Sequence, residues 1–228
     1  MTERLRFIAS LIENGRGVAD IGTDHGYIPA ALALGGYTGR IIAADINAGP
    51  LQCAEKTAAE TGVSEKIEFL LCDGLSKVEP SAVDTIVIAG MGGDTITGIL
   101  DRDYWCASPG YKLVLQPMSH QNVLRYWLIN NEFTITRELL AMDSGKMYQI
   151  FTAQYGPSPR YSDAELFTGS YDQICSDRLF GDYLNGLIEK FTRAVNGMET
   201  ASWDENIPLE LNRGVLKELL NMKERKNG

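Results

Sequence analysis

The stretch VADIGTDHGYIPAA, residues 18–31, decides how this chain is read. An apolar run stops at Asp20, Gly22 and Gly26 then bracket Thr23, Asp24 and His25, and an alanine-rich run follows Pro29. Apolar run, glycine turn and alanine-rich segment in that order spell strand, turn and helix, the first half of a βαβ unit. The same turn collects two acids and one of the chain's two histidines. It is either a tight connection with polar caps or a loop that holds a ligand.

Outward from this stretch the rhythm repeats. GVADIG (17–22), RIIAADI (40–46), KIEFLLCDG (66–74), VDTIVIAGMGG (83–93) and YKLVLQPM (111–118) are predicted strands. Helices are predicted over 28–36, 48–62, 94–100 and 120–131, the third begun by an Asp94 cap. The strands are mostly continuous apolar runs, as in a parallel sheet covered on both faces. FTITRELLAMD and KMYQIFTAQYG, separated by Ser-Gly and its flanks, instead signal a hairpin. The leading MTERLRFIASLIENG reads as an amphipathic helix with Leu5, Ile8, Leu11 and Ile12 on one face, not as a signal peptide.

GPSPRYSD (156–163) is the clearest break. Beyond it helical spacing takes over in FGDYLNGLIEKFTRAVNGM (180–198) and IPLELNRGVLKELLNMKERK (207–226), joined by a turn around ETASWDEN. The expected organisation is an α/β domain over 1–155 and a helical domain over 156–228.

The chain has 228 residues, 44% hydrophobic and 22% charged, enough for one sizeable α/β core plus an appendage. No apolar run approaches the roughly 20 residues that span a bilayer, so a cytoplasmic protein with no membrane partner is expected. Cys53, Cys72, Cys106 and Cys175 form no CxxC pair and have no ligand spacing to His25 or His120. Buried free thiols are therefore expected, and no metal site or disulfide framework. The net charge of −9 argues against a nucleic-acid partner, unless basic residues cluster locally. Arg4 and Arg6 are candidate phosphate contacts, with plain surface charge the simpler reading. For Lys223, Arg225 and Lys226 a solvated helix end is preferred.

Open parallel sheets bind ligands beyond the carboxyl ends of their strands. There this sequence places Asp20 with the Gly22–Gly26 loop, Asp45 with Asn47, Asp73 with Gly74, and Ala89 to Gly93. An adenine nucleoside suits this set: Gly22 and Gly26 allow close backbone approach, and Asp45 can accept from ribose hydroxyls. Asp73 can accept from an exocyclic amine while the Gly74 N–H donates to a ring nitrogen. A dinucleotide loop would carry a glycine where Asp24 stands. A carboxylate there repels pyrophosphate and favours a sulfonium or an ammonium, hence S-adenosylmethionine.

ADIGTDHGYIP, AADIN, CDG, AGMGG and LQPM, in this order, resemble the bacterial tRNA (adenine-22-N1)-methyltransferases. The resemblance runs from about residue 2 to 155 and extends to the tail in length and helicity. It implies a Rossmann-like seven-stranded methyltransferase domain with a C-terminal α-helical, coiled-coil-like hairpin. It also implies S-adenosylmethionine as donor, tRNA as acceptor, no metal and a monomer. Its implied cofactor residues are Asp20, Gly22, Thr23, Gly26, Asp45, Ile46, Asn47, Asp73, Gly74, Ala89, Gly90 and Gly92. Asp24, His25, Tyr27 and Met91 are the implied residues around the reacting base.

Adenine N1 carries an in-plane lone pair, so the chemistry would rest on positioning and on taking the base out of its stack, with no covalent cysteine. AGMGG stands where enzymes acting on exocyclic amines carry an Asn-Pro-Pro-Tyr type of motif. Two other readings stay open: a methyltransferase acting on a small molecule or protein, which the acidity favours, and a non-catalytic binding module. Gln116 and Pro117 read as turn residues, and Trp105, Trp127 and Trp203 as packing residues.

Overall fold

The computed structural model describes residues 1–200 and 207–227; Trp203 and the predicted turn within ETASWDEN lie outside the described residues. The chain divides into two compact units, Met1–Arg137 with Ala141–Pro159, and Glu138–Leu140 with Arg160–Gly228.

The first unit is built on a sheet of order β3-β2-β1-β4-β5-β7-β6. Its strands are β1 (Gly17–Ile21), β2 (Arg40–Asp45), β3 (Ile67–Leu71), β4 (Thr85–Gly92), β5 (Lys112–Ser119), β6 (Phe133–Asp143) and β7 (Lys146–Tyr155). The first five pair in parallel and β7 runs antiparallel to β5. All five residues of β1 are buried, which is why its sequence, Asp20 apart, is apolar and not alternating. At the sheet edge β3 is half-exposed and ends at Leu71, so the CDG that follows is loop, not strand. Ser144 and Gly145 both have positive φ, 51° and 74°, the type I′ geometry that suits a two-residue hairpin.

Five helices accompany the sheet: α1 (Glu3–Ser10), α2 (Tyr27–Leu34), α3 (Ala48–Glu60), α4 (Gly93–Arg102) and α5 (Gln121–Asn130). In α1 the Thr2 hydroxyl accepts from the Leu5 N–H, and Ile8 is buried. The helix stops at Ser10, so the buried Leu11 and Ile12 follow its end and do not extend its face. Gln116 and Pro117 lie within β5 and are not turn residues. Trp105 packs edge-on against Tyr111, and Trp127 against Tyr104 and Phe133.

The second unit contains α6 (Asp163–Thr168), α7 (Tyr171–Ile174), α8 (Phe180–Thr200) and α9 (Ile207–Asn227). Phe180, Leu184, Phe191 and Val195 of α8 face Val215, Leu219 and Met222 of α9 in its core. Arg213 of α9 reaches Glu199 of α8 at 2.7 Å. A capping box between Ser162 and Glu165 begins α6. The basic end of α9 is not simply solvated: Arg225 lies over the Tyr171 ring at 3.9 Å, and Lys226 donates to the Cys175 carbonyl.

Candidate active site

The carboxyl ends of β1 to β4 open onto one cavity of about 680 Å³. It lies where strand order reverses between β1 and β4, the place where an open parallel sheet leaves a crevice. Asp20, Gly22, Thr23, Asp24, His25 and Tyr27 line it from the first loop, and Asp45, Ile46 and Asn47 from the second. Asp73 and Gly74 contribute from the third, and Ala89, Gly90 and Met91 from the fourth. Gly26 and Gly92, expected beside them, are not among its lining residues.

The first loop is tied to the end of β2. The Gly22 and Thr23 N–H groups both donate to the Ala44 carbonyl, at 2.8 and 3.0 Å. Asp24 has a φ of 51°, and its N–H donates to Asp45 Oδ2 at 3.4 Å. Its own carboxylate is exposed, 3.7 Å from His25 Nε2. The His25 and Tyr27 rings stack at 5.4 Å on the cavity rim. Gly26 serves packing, not ligand approach: a Cβ there would sit 2.8 Å from the Cβ of Ala54 in α3.

Asp20 is buried and accepts from the Thr23 hydroxyl at 2.8 Å. Loss of water pushes its carboxyl up to about 7; the Thr23 bond opposes this and the Asp45 charge reinforces it. Asp45 is also buried, with Oδ1 accepting from the Asn47 N–H at 2.8 Å and Oδ2 from Asp24. A carboxylate has about four acceptor sites, so one on each oxygen remains for a ligand.

Asp73 is only in part a free acceptor. Arg102, at the end of α4, grips both its oxygens at 2.8 and 3.1 Å and also reaches Asp103. A Cβ on Gly74 would lie 2.5 Å from Arg102 Nη2, so the glycine lets the guanidinium cross the loop. Sequence reading missed Arg102 because nothing local marks it; only the α4 path brings it to the β3 loop.

At the end of β4 the pairing with β5 slips between Ala89 and Met91, leaving Gly90 as a bulge with φ 86°. Bulges re-aim neighbouring side chains, and Met91 packs onto the Gly22 loop, where a Cβ would sit 2.1 Å from Met91 Cε. Gly92, not Asp94, is the cap residue of α4. Asp94 instead pairs with His120 Nδ1, which holds its carboxyl below the usual range.

Cys72 and Cys106 are buried, and burial pushes the Cys106 thiol up to about 12. Cys53 is exposed and Cys175 half-buried, contrary to the expectation of buried thiols throughout. Among the described residues no helix is long and apolar enough to cross a membrane, and no group of three or more His, Cys, Asp or Glu could hold a metal ion.

A seven-stranded sheet with an antiparallel strand inserted beside its edge strand, and an acid-lined crevice at its switch point, defines the Rossmann-like methyltransferase class. A family model described as a methyltransferase domain matches residues 1–151. The tRNA (adenine(22)-N(1))-methyltransferase of Bacillus subtilis strain 168 is 33% identical over 156 residues, 68% of this chain and 66% of that protein. The crystal structure of the B. subtilis m1A22 tRNA methyltransferase is similar with a TM-score of 0.79 at 26% identity, covering 100% of this chain and 97% of the other. An M. capricolum homologue in complex with S-adenosyl-homocysteine is similar with a TM-score of 0.80 at 25% identity, over 100% and 98% of the two chains. The chain belongs to the methyltransferase-domain family and, within it, to the bacterial tRNA (adenine-22-N1)-methyltransferases.

Proposed function

We propose that this protein transfers a methyl group from S-adenosylmethionine to N1 of adenine 22 in tRNA, as a monomer in the cytoplasm. The observation that carries the reading is the cavity at the β1–β4 switch point, with the buried Asp45 carboxylate held by two backbone N–H groups at its edge. A volume of about 680 Å³ is adequate for a nucleoside cofactor. The donor set fits one: Asp45 accepts from the ribose hydroxyls, and Ile46 and Asn47 flank the sugar. Asp73, clamped by Arg102, and the Gly74 N–H address the adenine edge.

S-adenosylmethionine, when bound, supplies an electrophilic methyl group on a sulfonium. Asp20 and Asp24 provide the negative charge that suits this cation, and Thr23 orients Asp20. His25 and Tyr27 offer a stacked aromatic rim to an unstacked target base. Ala89, Gly90 and Met91 form the wall opposite them, with Met91 an apolar contact for the base. N1 of neutral adenine bears no proton, so no side chain has to act as a base. The acids of the cavity would favour the donor's sulfonium and the cationic methylated purine alike. Positioning and exclusion of water are what the chain contributes.

Incubation with S-adenosylmethionine and unmodified tRNA, followed by digestion, should yield 1-methyladenosine from wild-type tRNA and none from tRNA with guanine at position 22. A different methylated nucleoside, or none, would remove the assignment.

A further inference from the structure

Contacts from the end of α4 pin the loop that follows β3. Arg102 Nη1 and Nη2 donate to the two oxygens of Asp73 at 2.8 and 3.1 Å. The Leu75 N–H donates to Asp103 Oδ2 at 3.2 Å, and the same oxygen lies 3.4 Å from Arg102 Nε. Between them Gly74, with a φ of 57°, leaves no room for a side chain: a Cβ there would lie 2.5 Å from Arg102 Nη2 and 3.0 Å from Ile99 Cγ2. The clamp does little for folding, because the Arg102 and Asp73 side chains are 45% and 54% exposed and such ion pairs contribute little to stability. What it fixes is direction. Asp73 and Asp103 carry like charges, and the guanidinium between them holds Asp73 in one orientation.

Asp73, Gly74 and Arg102 all line the cavity. A bidentate guanidinium takes one lone pair of each carboxylate oxygen and leaves the other for a ligand. The orientation decides which purine the methyl donor can carry. Adenine presents a 6-amino donor beside the acceptor nitrogen N1; hypoxanthine presents a 6-oxo acceptor beside an N1–H donor. A fixed Asp73 acceptor next to the Gly74 N–H donor matches the first pair and opposes the second at both points. A carboxylate free to turn can follow the N1–H of hypoxanthine and recover one bond.

We infer that Arg102 is a positioning residue that makes Asp73 selective for a 6-amino purine in the methyl donor. The inference rests on the cofactor reading of the cavity. It gives Arg102 no contact with the ligand and has it act through the Asp73 carboxylate alone.

Calorimetry on the full chain tests it with S-adenosylhomocysteine and S-inosylhomocysteine, which differ only in the purine. The wild type should bind the adenine ligand at least about tenfold more tightly. Arg102→Ala should shrink this preference to about threefold or less by weakening the adenine ligand alone, and Arg102→Lys, which can hold one oxygen, should recover part of it. Added to Asp73→Ala, the change Arg102→Ala should alter adenine-ligand affinity by less than about twofold, since its route is then gone. Equal weakening of both ligands by Arg102→Ala, or its full effect on top of Asp73→Ala, would overturn the proposal. So would selective weakening of the hypoxanthine ligand, the mark of Arg102 donating to the base itself, or a wild type without the preference. If the wild type binds neither ligand, the underlying cofactor reading fails. If it binds the adenine ligand but Arg102→Ala leaves the preference intact, only this inference fails.

Discussion

Replacing Asp20 by Asn keeps the shape of the side chain and an acceptor for the Thr23 hydroxyl, and removes only the charge. In the wild type, burial pushes this carboxyl from 3.8 up to about 7. Below pH 4 it is protonated in both the folded and the unfolded chain. Between pH 4 and 7 the unfolded chain releases the proton while the fold retains it, so the Asp20 contribution to stability is lost as pH rises. Each pKa unit corresponds to about 1.4 kcal/mol, which puts the full cost of ionising Asp20 in the empty fold at about 4 kcal/mol. About 2–3 kcal/mol of this falls between pH 5 and pH 8. Urea unfolding of both proteins at pH 5, 6.5 and 8 should therefore show Asp20→Asn gaining about 2–3 kcal/mol on the wild type across the range. In calorimetry, wild-type affinity for S-adenosylmethionine should rise with pH towards 7, by at most about tenfold per unit, and the variant should lack this slope. A stability difference independent of pH, or the same affinity slope in both proteins, would refute the reasoning.

Asp45→Ala should weaken S-adenosylmethionine binding by about 2–4 kcal/mol, since two charge-assisted hydrogen bonds are lost; unchanged affinity by calorimetry would remove the ribose role. Gly26→Ala should cost about 2–4 kcal/mol, combining a left-handed φ of 66° with collision against Ala54. Chemical denaturation measures that cost, and a neutral result would mean that α3 can yield at this point. Ser162→Ala removes the side-chain half of the α6 capping box and should cost about 1 kcal/mol, read as a lower unfolding midpoint. If tRNA is held by a local basic cluster on this chain of net charge −9, its KM should rise steeply between 50 and 200 mM salt. A flat profile would point to contacts with little phosphate character.

Much of this protein is legible along the chain, wherever the cause is local. The continuous apolar runs of β1, β2 and β4 announce buried parallel strands, and the Ser-Gly pair announces the β6–β7 hairpin because it is a turn dipeptide whose glycine takes positive φ at no steric cost. Acids at the ends of β1 and β2 mark the cavity, since strand ends on one side of a parallel sheet must converge. The α6 start was equally readable from Ser162 and Glu165, but six residues are too few for periodicity to stand out.

What only the tertiary structure decided concerns pairs distant in sequence. Arg102 reaches Asp73 across 29 positions and Arg4 reaches Gln116 across 112. Gly26 proves to be a packing glycine because Ala54 lies against it. Asp94 leaves its expected cap for His120, and the raised pKa of Asp20 depends on burial that no local pattern encodes. The sequence alone determined where the acids of the donor site stand. Which of them are free, clamped or protonated is decided by distance and desolvation, which exist only once the sheet has formed.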